Sequence, residues 1–427
     1  MRRAEFPLSV SDIQQNKRQQ ALQKQLSKSC FWDEVEQTLW IDCRKVWPEF
    51  GVLSVPSWDA LTMSSAKVPA YPNELRILEW SNYSQISYWR KQIPQWVQDS
   101  CALFPSHQLV LLHYAGKYPQ LLELLDHSPM LAWRLINSGL QESEIVALLS
   151  GNRQVMAGQV GWPESGETVK FLRNLRLRLV NDEIAEQVET CLLDEQRLSA
   201  LQVLPRINSM ALSLAARFPE LIGSQLHHAL AQLPCRPMQC QSMVALLEDA
   251  YRLADALEFA AQEVNRIGEC RYLVEVSEIY QAWLTQGLSD SPHGVTPKSA
   301  SELKPEERVQ AYQQALSFAL TREPQRVERW QDWRLLSQLQ QHAWWIDLDT
   351  NSSLPNSESL VAWCDKEGVW VALLRAPDMV KSKLKTELKV SEGCLEIVRI
   401  RGLDNCLATS NQWTQLHLWQ ASLKDEV

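Results

Sequence analysis

Residues 109–125, Leu109-Val110-Leu111-Leu112-His113-Tyr114-Ala115-Gly116-Lys117-Tyr118-Pro119-Gln120-Leu121-Leu122-Glu123-Leu124-Leu125, carry the pattern that decides the fold class. Leu109, Leu112, Ala115 and Gly116 recur at the spacing of one helical face. Pro119 ends that helix, having no N–H to donate to it, and suits the first turn of the next. The arrangement returns 100 residues later, where Leu212, Ala215 and Ala216 precede Phe218-Pro219-Glu220-Leu221-Ile222. That interval is too long for a standard solenoid repeat. The expectation is a recurring helix–Pro–helix corner within a helical array, with small residues at 115/116 and 215/216 admitting close neighbours.

Outward from this stretch, the 3.6-residue period predicts a helical array over 105–284. Residues 1–30 read as a polar arm rich in Gln and Lys. Residues 31–104 form a Trp/Pro-rich region cut into short pieces by Pro48, Pro56, Pro69, Pro72 and Pro94 and expected to wrap over another part of the protein or over a partner. Residues 285–304, with Ser, Gly and Pro in quick succession, read as a linker or long loop. Within 305–427, Pro305-Glu306-Glu307 predicts a helix start. Val369–Leu374 and Leu395–Ile400 predict strands, and 344–348 a third. Helices are expected at 357–366 and 410–423. The fold class is mainly α: a helical array with a small C-terminal α+β unit.

Eighteen tryptophans, nine from Trp32 to Trp162 and nine from Trp283 to Trp419, leave the middle of the chain without one. Indole is apolar with a single N–H, which suits half-dry seams and interfaces. Trp330, Trp333, Trp344 and Trp345 read either as an internal seam or as a partner interface. Exposed Trp on this scale favours association, which weighs toward the seam.

A net charge of −9 argues against a broadly basic nucleic-acid-binding surface and leaves room for a local basic patch. No apolar run approaches the roughly 20 residues of a membrane helix. The N-terminus lacks the apolar stretch of a secretory signal. Ten cysteines without a CxxC pair read as reduced thiols, so the expected location is cytoplasmic.

Four groups are candidate sites. Lys170, Arg173, Arg176 and Arg178 predict a basic ridge, with Arg173 and Arg176 on one helical face and Leu172, Leu175 and Leu179 opposite; Asp182 and Glu183 follow closely and offset the charge. Arg399 and Arg401 project to one side of a strand, and with Asn405 after the Gly402 turn they make the most site-like polar group, able to grip phosphate or carboxylate. The competing reading is an edge strand with outward charges. Asp347 and Asp349 share a strand face that suits a divalent cation, although Asp349-Thr350-Asn351 also reads as a turn. His227, His228, Cys235 and Cys240 are soft ligands within 14 residues, but adjacent histidines point to different faces, so a helix end with buried thiols is the simpler account. No Gly-rich phosphate loop, GxSxG elbow or HExxH occurs, so no catalytic residue, metal or cofactor is assigned.

His113-Tyr114-Ala115 through Pro119, with Leu121–Asp126, Ser128-Pro129, Leu131 and Trp133, resembles the helix, leucine-pair, Ser/Asn-Pro, leucine, aromatic corner of PcfJ-like proteins of conjugative plasmids and other bacterial mobile elements. Ile400-Arg401-Gly402-Leu403-Asp404-Asn405, followed by Trp413 and Trp419, is similar to their strand-Arg-Gly-x-x-Asn-helix ending. The likeness spans residues 75–423. It departs at Ala362-Trp363-Cys364-Asp365, where those proteins carry an Asn before the Cys and a Tyr after it. The resemblance implies an association with mobile elements or anti-phage defence and carries no assigned reaction. Together with abundant interface-type residues, it gives the leading expectation: a non-enzymatic interaction or scaffold protein with another protein as partner. The alternative is a nucleic-acid-binding or -processing factor using the arginines and a metal.

Overall fold

The structure, a computed structural model, describes residues 21–62, 64, 66–80, 84–234, 237–289, 310, 313–343, 358–375 and 395–425. The polar arm, the linker, the helix start at Pro305 and the strand at 344–348 fall wholly or mostly outside them. The chain divides into two compact units that meet in sequence at Cys240–Gln241. The expected array at 105–284 is therefore split.

The N-terminal unit opens with an antiparallel sheet of β1 (Cys30–Asp33), β2 (Thr38–Asp42) and β3 (Val52–Pro56), in the order β1-β2-β3. Trp32, Leu39, Ile41, Leu53 and Val55 alternate onto its inner face and are buried. That face shares one apolar core with the helices, from Leu26 through Ala231. Trp32, Trp80 and Trp89 are interior here, and the Trp89 indole donates to the Pro56 carbonyl at 3.0 Å. The Trp/Pro-rich region thus wraps the helices of its own unit.

The deciding stretch forms α1 (Gln108–Lys117) and α2 (Pro119–His127), with Pro119 in the first turn of the second. A Cβ on Gly116 would come within 2.7 Å of Leu61, so the close approach expected of the small residues is present at that position. α3 (Gly166–Asn174), α4 (Asp182–Leu193) and α5 (Ser209–Arg217) follow. The second corner differs from the first: after Pro219 the chain makes one 3-10 turn, Pro219–Leu221, rather than a helix. Asn208 fixes the start of α5 from inside the core. Its Oδ1 accepts from Ala211 N, and its Nδ2 donates to the carbonyls of Leu230 at 2.8 Å and Leu233 at 2.9 Å.

The C-terminal unit holds most of α6 (Pro237–Ala256), then α7 (Leu273–Ser289), β4 (Gln325–Arg326), α8 (Trp330–Gln340), β5 (Glu358–Asp365), β6 (Gly368–Arg375), β7 (Glu396–Arg401) and α9 (Ser410–Asp425). The four strands form an antiparallel sheet in sequence order. Leu360, Ala362, Val369, Val371 and Leu373 pack with Trp333, Leu336 and Leu339 of α8. Val361, Trp363, Trp370, Ala372 and Leu374 pack with Ile400 and with Leu416 of α9. Both faces are covered, which explains the unbroken apolar run in β6.

The helix expected at 357–366 is a strand. Asp365 Oδ1 accepts from the backbone N–H groups of Glu367 and Gly368, closing a turn in which Gly368 adopts φ +136°. Pairing with β6 then decides a segment whose Leu, Val and Ala suit either state.

Candidate functional site

The most site-like group expected from the sequence does assemble, around a carboxylate the sequence did not nominate. Asp249, on α6, is sealed from solvent with only 1% of its side chain exposed. Arg399 Nη1 donates to its Oδ1 at 2.9 Å. Arg401 Nη2 and Asn405 Nδ2 reach its Oδ2 at 3.4 and 3.1 Å. His342 Nδ1 lies 3.5 Å from the same oxygen. Tyr280 of α7 is buried beside them, and its hydroxyl accepts from Ala343 N.

Local structure aims these groups. Arg399 and Arg401 are two apart on β7 and, as the period of two predicts, turn to the same acid. Gly402 follows in a crowded place, where a Cβ would meet Cys406 Sγ at 2.6 Å and the Trp370 ring at 2.7 Å. Asp404 and Asn405 then take left-handed backbone, φ +52° and +57°, which brings the Asn405 amide back to Asp249. Both residue types tolerate that conformation better than most.

Burial alone would raise the Asp249 carboxyl. His342, Arg401 and Arg399 outweigh it and hold the group well below the usual carboxylate range. Burial pushes the His342 imidazole down, against the pull of Asp249. The group is therefore one carboxylate between two guanidiniums. Arg401 is 7% exposed and is not an outward-pointing edge charge. Its Nε and Asn405 Oδ1 are buried without a hydrogen-bond partner among the described residues. What the geometry does chemically is lock α6 to β7 and its turn, both within the C-terminal unit.

The basic ridge is present in a different local structure. Its helix ends at Asn174, so Arg173 and Arg176 do not share a helical face as expected. Beyond it Leu175 bridges to Ile207 in parallel register, and the chain bends at Arg178. Leu172 and Leu175 point inward as expected. Arg173, Arg176 and Arg178 are exposed. Arg176 Nη1 donates at 2.7 Å to the carbonyls of Arg173 and Leu175, closing the C-terminal end of α3. Of the two acids expected to offset the ridge, Glu183 is engaged by Arg217.

The tryptophan set divides. Trp333 is 1% exposed, its indole donates to the Val327 carbonyl at 2.8 Å, and it belongs to the core, which rules it out as a partner-contact residue. The Trp330 side chain, Trp344 and Trp345 lie outside the described residues, as do Asp347, Asp349 and Cys235. Both ring nitrogens of His227 are engaged: Nδ1 accepts from Gly223 N, and Nε2 faces the Ala211 carbonyl at 3.2 Å. Cys240 Sγ lies against Ser209 and Ser213. His227 and Cys240 are therefore both engaged within the fold. Among the described residues no group of three or more His, Cys, Asp or Glu is placed to hold a metal, and no helix is long and apolar enough to cross a membrane.

Sequence reasoning missed Asp249, His342 and Tyr280. The available signal was an acid inside an apolar helical stripe, two residues after Leu247 and four before Leu253. Comparison with protein-family models, with curated proteins and with solved structures gives no match.

Proposed function

We propose that the protein acts by recognition rather than by bond-making, as a non-enzymatic interaction or scaffold protein of the bacterial cytoplasm. The resemblance to PcfJ-like proteins supports an association with mobile elements or anti-phage defence. The observation that carries the interaction reading is the outer face of the N-terminal sheet. Phe31 of β1 is 58% exposed and pairs in register with the half-buried Trp40 of β2. Val52 of β3, on the same face, is 46% exposed. Aromatic and aliphatic surface on a sheet, rimmed by Asp33 and Asp42, has the composition of a protein interface.

The test is affinity purification from the native host with the wild-type chain and the double variant Phe31→Glu, Val52→Glu, both positions being outside the core. The expected result is a stoichiometric protein partner that the variant no longer retains. Identical recovery by the two chains, or a monomer that retains nothing, overturns the proposal.

A further inference from the structure

We propose that Arg173, Arg176, Arg178 and Arg206 form a contact surface for the phosphate backbone of a nucleic acid, separate from the aromatic sheet face and independent of it. The sequence placed three of these on one ridge. The fourth, Arg206, joins them only through the fold.

The bridge between Leu175 and Ile207 organises the surface. Both bridge residues point inward, at 7% and 0% exposure. Two backbone hydrogen bonds fix the pairing, Arg176 N to the Ile207 carbonyl at 2.8 Å and Ile207 N to the Asn174 carbonyl at 3.0 Å. Side chains alternate along extended backbone. Arg176 and Arg206, each next to an inward residue, therefore emerge on the solvent side, and Arg178 is exposed at the bend that follows. The exposures agree: 176, 178 and 206 are exposed, and 175 and 207 buried. Three exposed guanidiniums thus follow one another across the bridge and the bend beyond it. Arg173, in the last turn of α3, and Lys170, three residues earlier on the same helix, extend the row.

Two further observations favour an anion over solvent alone. Among the described residues no acidic side chain pairs with Lys170, Arg173, Arg176, Arg178 or Arg206. The exposed Arg217 and the half-buried Arg197 are by contrast paired, with Glu183 and Asp194. Arg176 is also partly immobilised by its two bonds to the end of α3, so less side-chain freedom is lost when its remaining donors engage a ligand. Guanidinium donors in a planar fork suit phosphate and carboxylate alike, and a row of single charges suits a chain of phosphates better than one compact anion. In a chain of net charge −9, such a local row is where a polyanion would meet attraction.

The experiment measures binding of the full chain to fluorescein-labelled oligonucleotides (single- and double-stranded DNA, and RNA) by anisotropy across a salt series. The wild type is compared with the double variant Arg178→Gln, Arg206→Gln. Arg176 is left in place because it closes α3, and circular dichroism checks that the variant keeps its helices. With four phosphates neutralised, the logarithm of the binding constant falls against the logarithm of salt with a slope of about −2.8 on a single strand or about −3.6 on a duplex. The variant brings these to about −1.4 and −1.8. Absence of salt-dependent binding to every oligonucleotide overturns the proposal, as does a slope that the variant leaves unchanged. Equal binding to polyglutamate, or variant-sensitive binding only to phosphatidylcholine–phosphatidylserine vesicles, overturns it in favour of general charge attraction or a membrane surface.

Discussion

Replacing Asp249 with Ala removes the anion that two buried or nearly buried guanidiniums share. Arg399 and Arg401 side chains are 14% and 9% exposed, so water cannot fully take the place of the carboxylate. Breaking a buried pair from one side leaves uncompensated charge and costs about 3–5 kcal/mol. Asn405 Nδ2 loses its acceptor as well. For a unit of this size, that loss lowers the melting temperature by about 6–20 °C. The assay is urea and thermal unfolding followed by tryptophan fluorescence, read on the transition that reports Trp363 and Trp370, because two units need not melt together. A pH series gives an independent reading through Asp249→Asn, which keeps the shape and removes the charge. A carboxyl depressed in the folded state adds stability that is present above its unfolded value, about 3.9, and is lost as pH falls toward the folded value. The advantage of wild type over Asp249→Asn is therefore full near pH 6 and shrinks in acid. A cost for Asp249→Ala below about 1 kcal/mol, the range of surface ion pairs, would refute the ionic lock, as would a wild-type advantage that grows in acid.

Gly402→Ala places a methyl against Trp370 and Cys406 and is expected to cost about 1–3 kcal/mol in the same unit, read by urea midpoint. Asn208→Ala removes both a helix cap and the donor to two interior carbonyls, lowering the stability of the N-terminal unit by about 2 kcal/mol in the same assay. Burial holds the His113 imidazole down at about 4. Its neutral form is the one that folds, so its contribution is complete above about pH 6.5 and is lost toward pH 4, by on the order of 3 kcal/mol. The variant His113→Phe should flatten that part of the pH–stability curve; a slope equal to that of wild type contradicts the reading. His227, also held at about 4, keeps some acid sensitivity in both chains.

Legibility in the sequence followed how local each determinant is. The Pro119 corner, the strands at 369–374 and 395–400 and the helix from Ser410 were readable because a single segment carries each signal. β5 was misread because its Leu, Val and Ala suit either state, and pairing with β6 decides. The N-terminal sheet was missed because four- and five-residue strands are too short to show a period. At the candidate site, the shared side of Arg399 and Arg401 was readable from spacing. Their partner, about 150 residues earlier, was harder to read, since Asp249 follows Glu248 and only its place in the apolar stripe sets it apart until the fold buries it. Arg206 escaped for the same reason, as only the bridge at Ile207 brings it to residues 174–176.

The tie between residue 249 and the 399–405 turn also sets an order of events during synthesis. The acid on α6 leaves the ribosome long before the two guanidiniums that neutralise it. Until β7 and its turn are made, packing that helix would strand a bare carboxylate in oil, so the rest of the C-terminal unit must wait, loosely formed, for residues 399–405. A nascent chain cut short before Arg399 would carry a marked defect, open to proteases, whereas the N-terminal half, whose core closes by Ala231, could already have set.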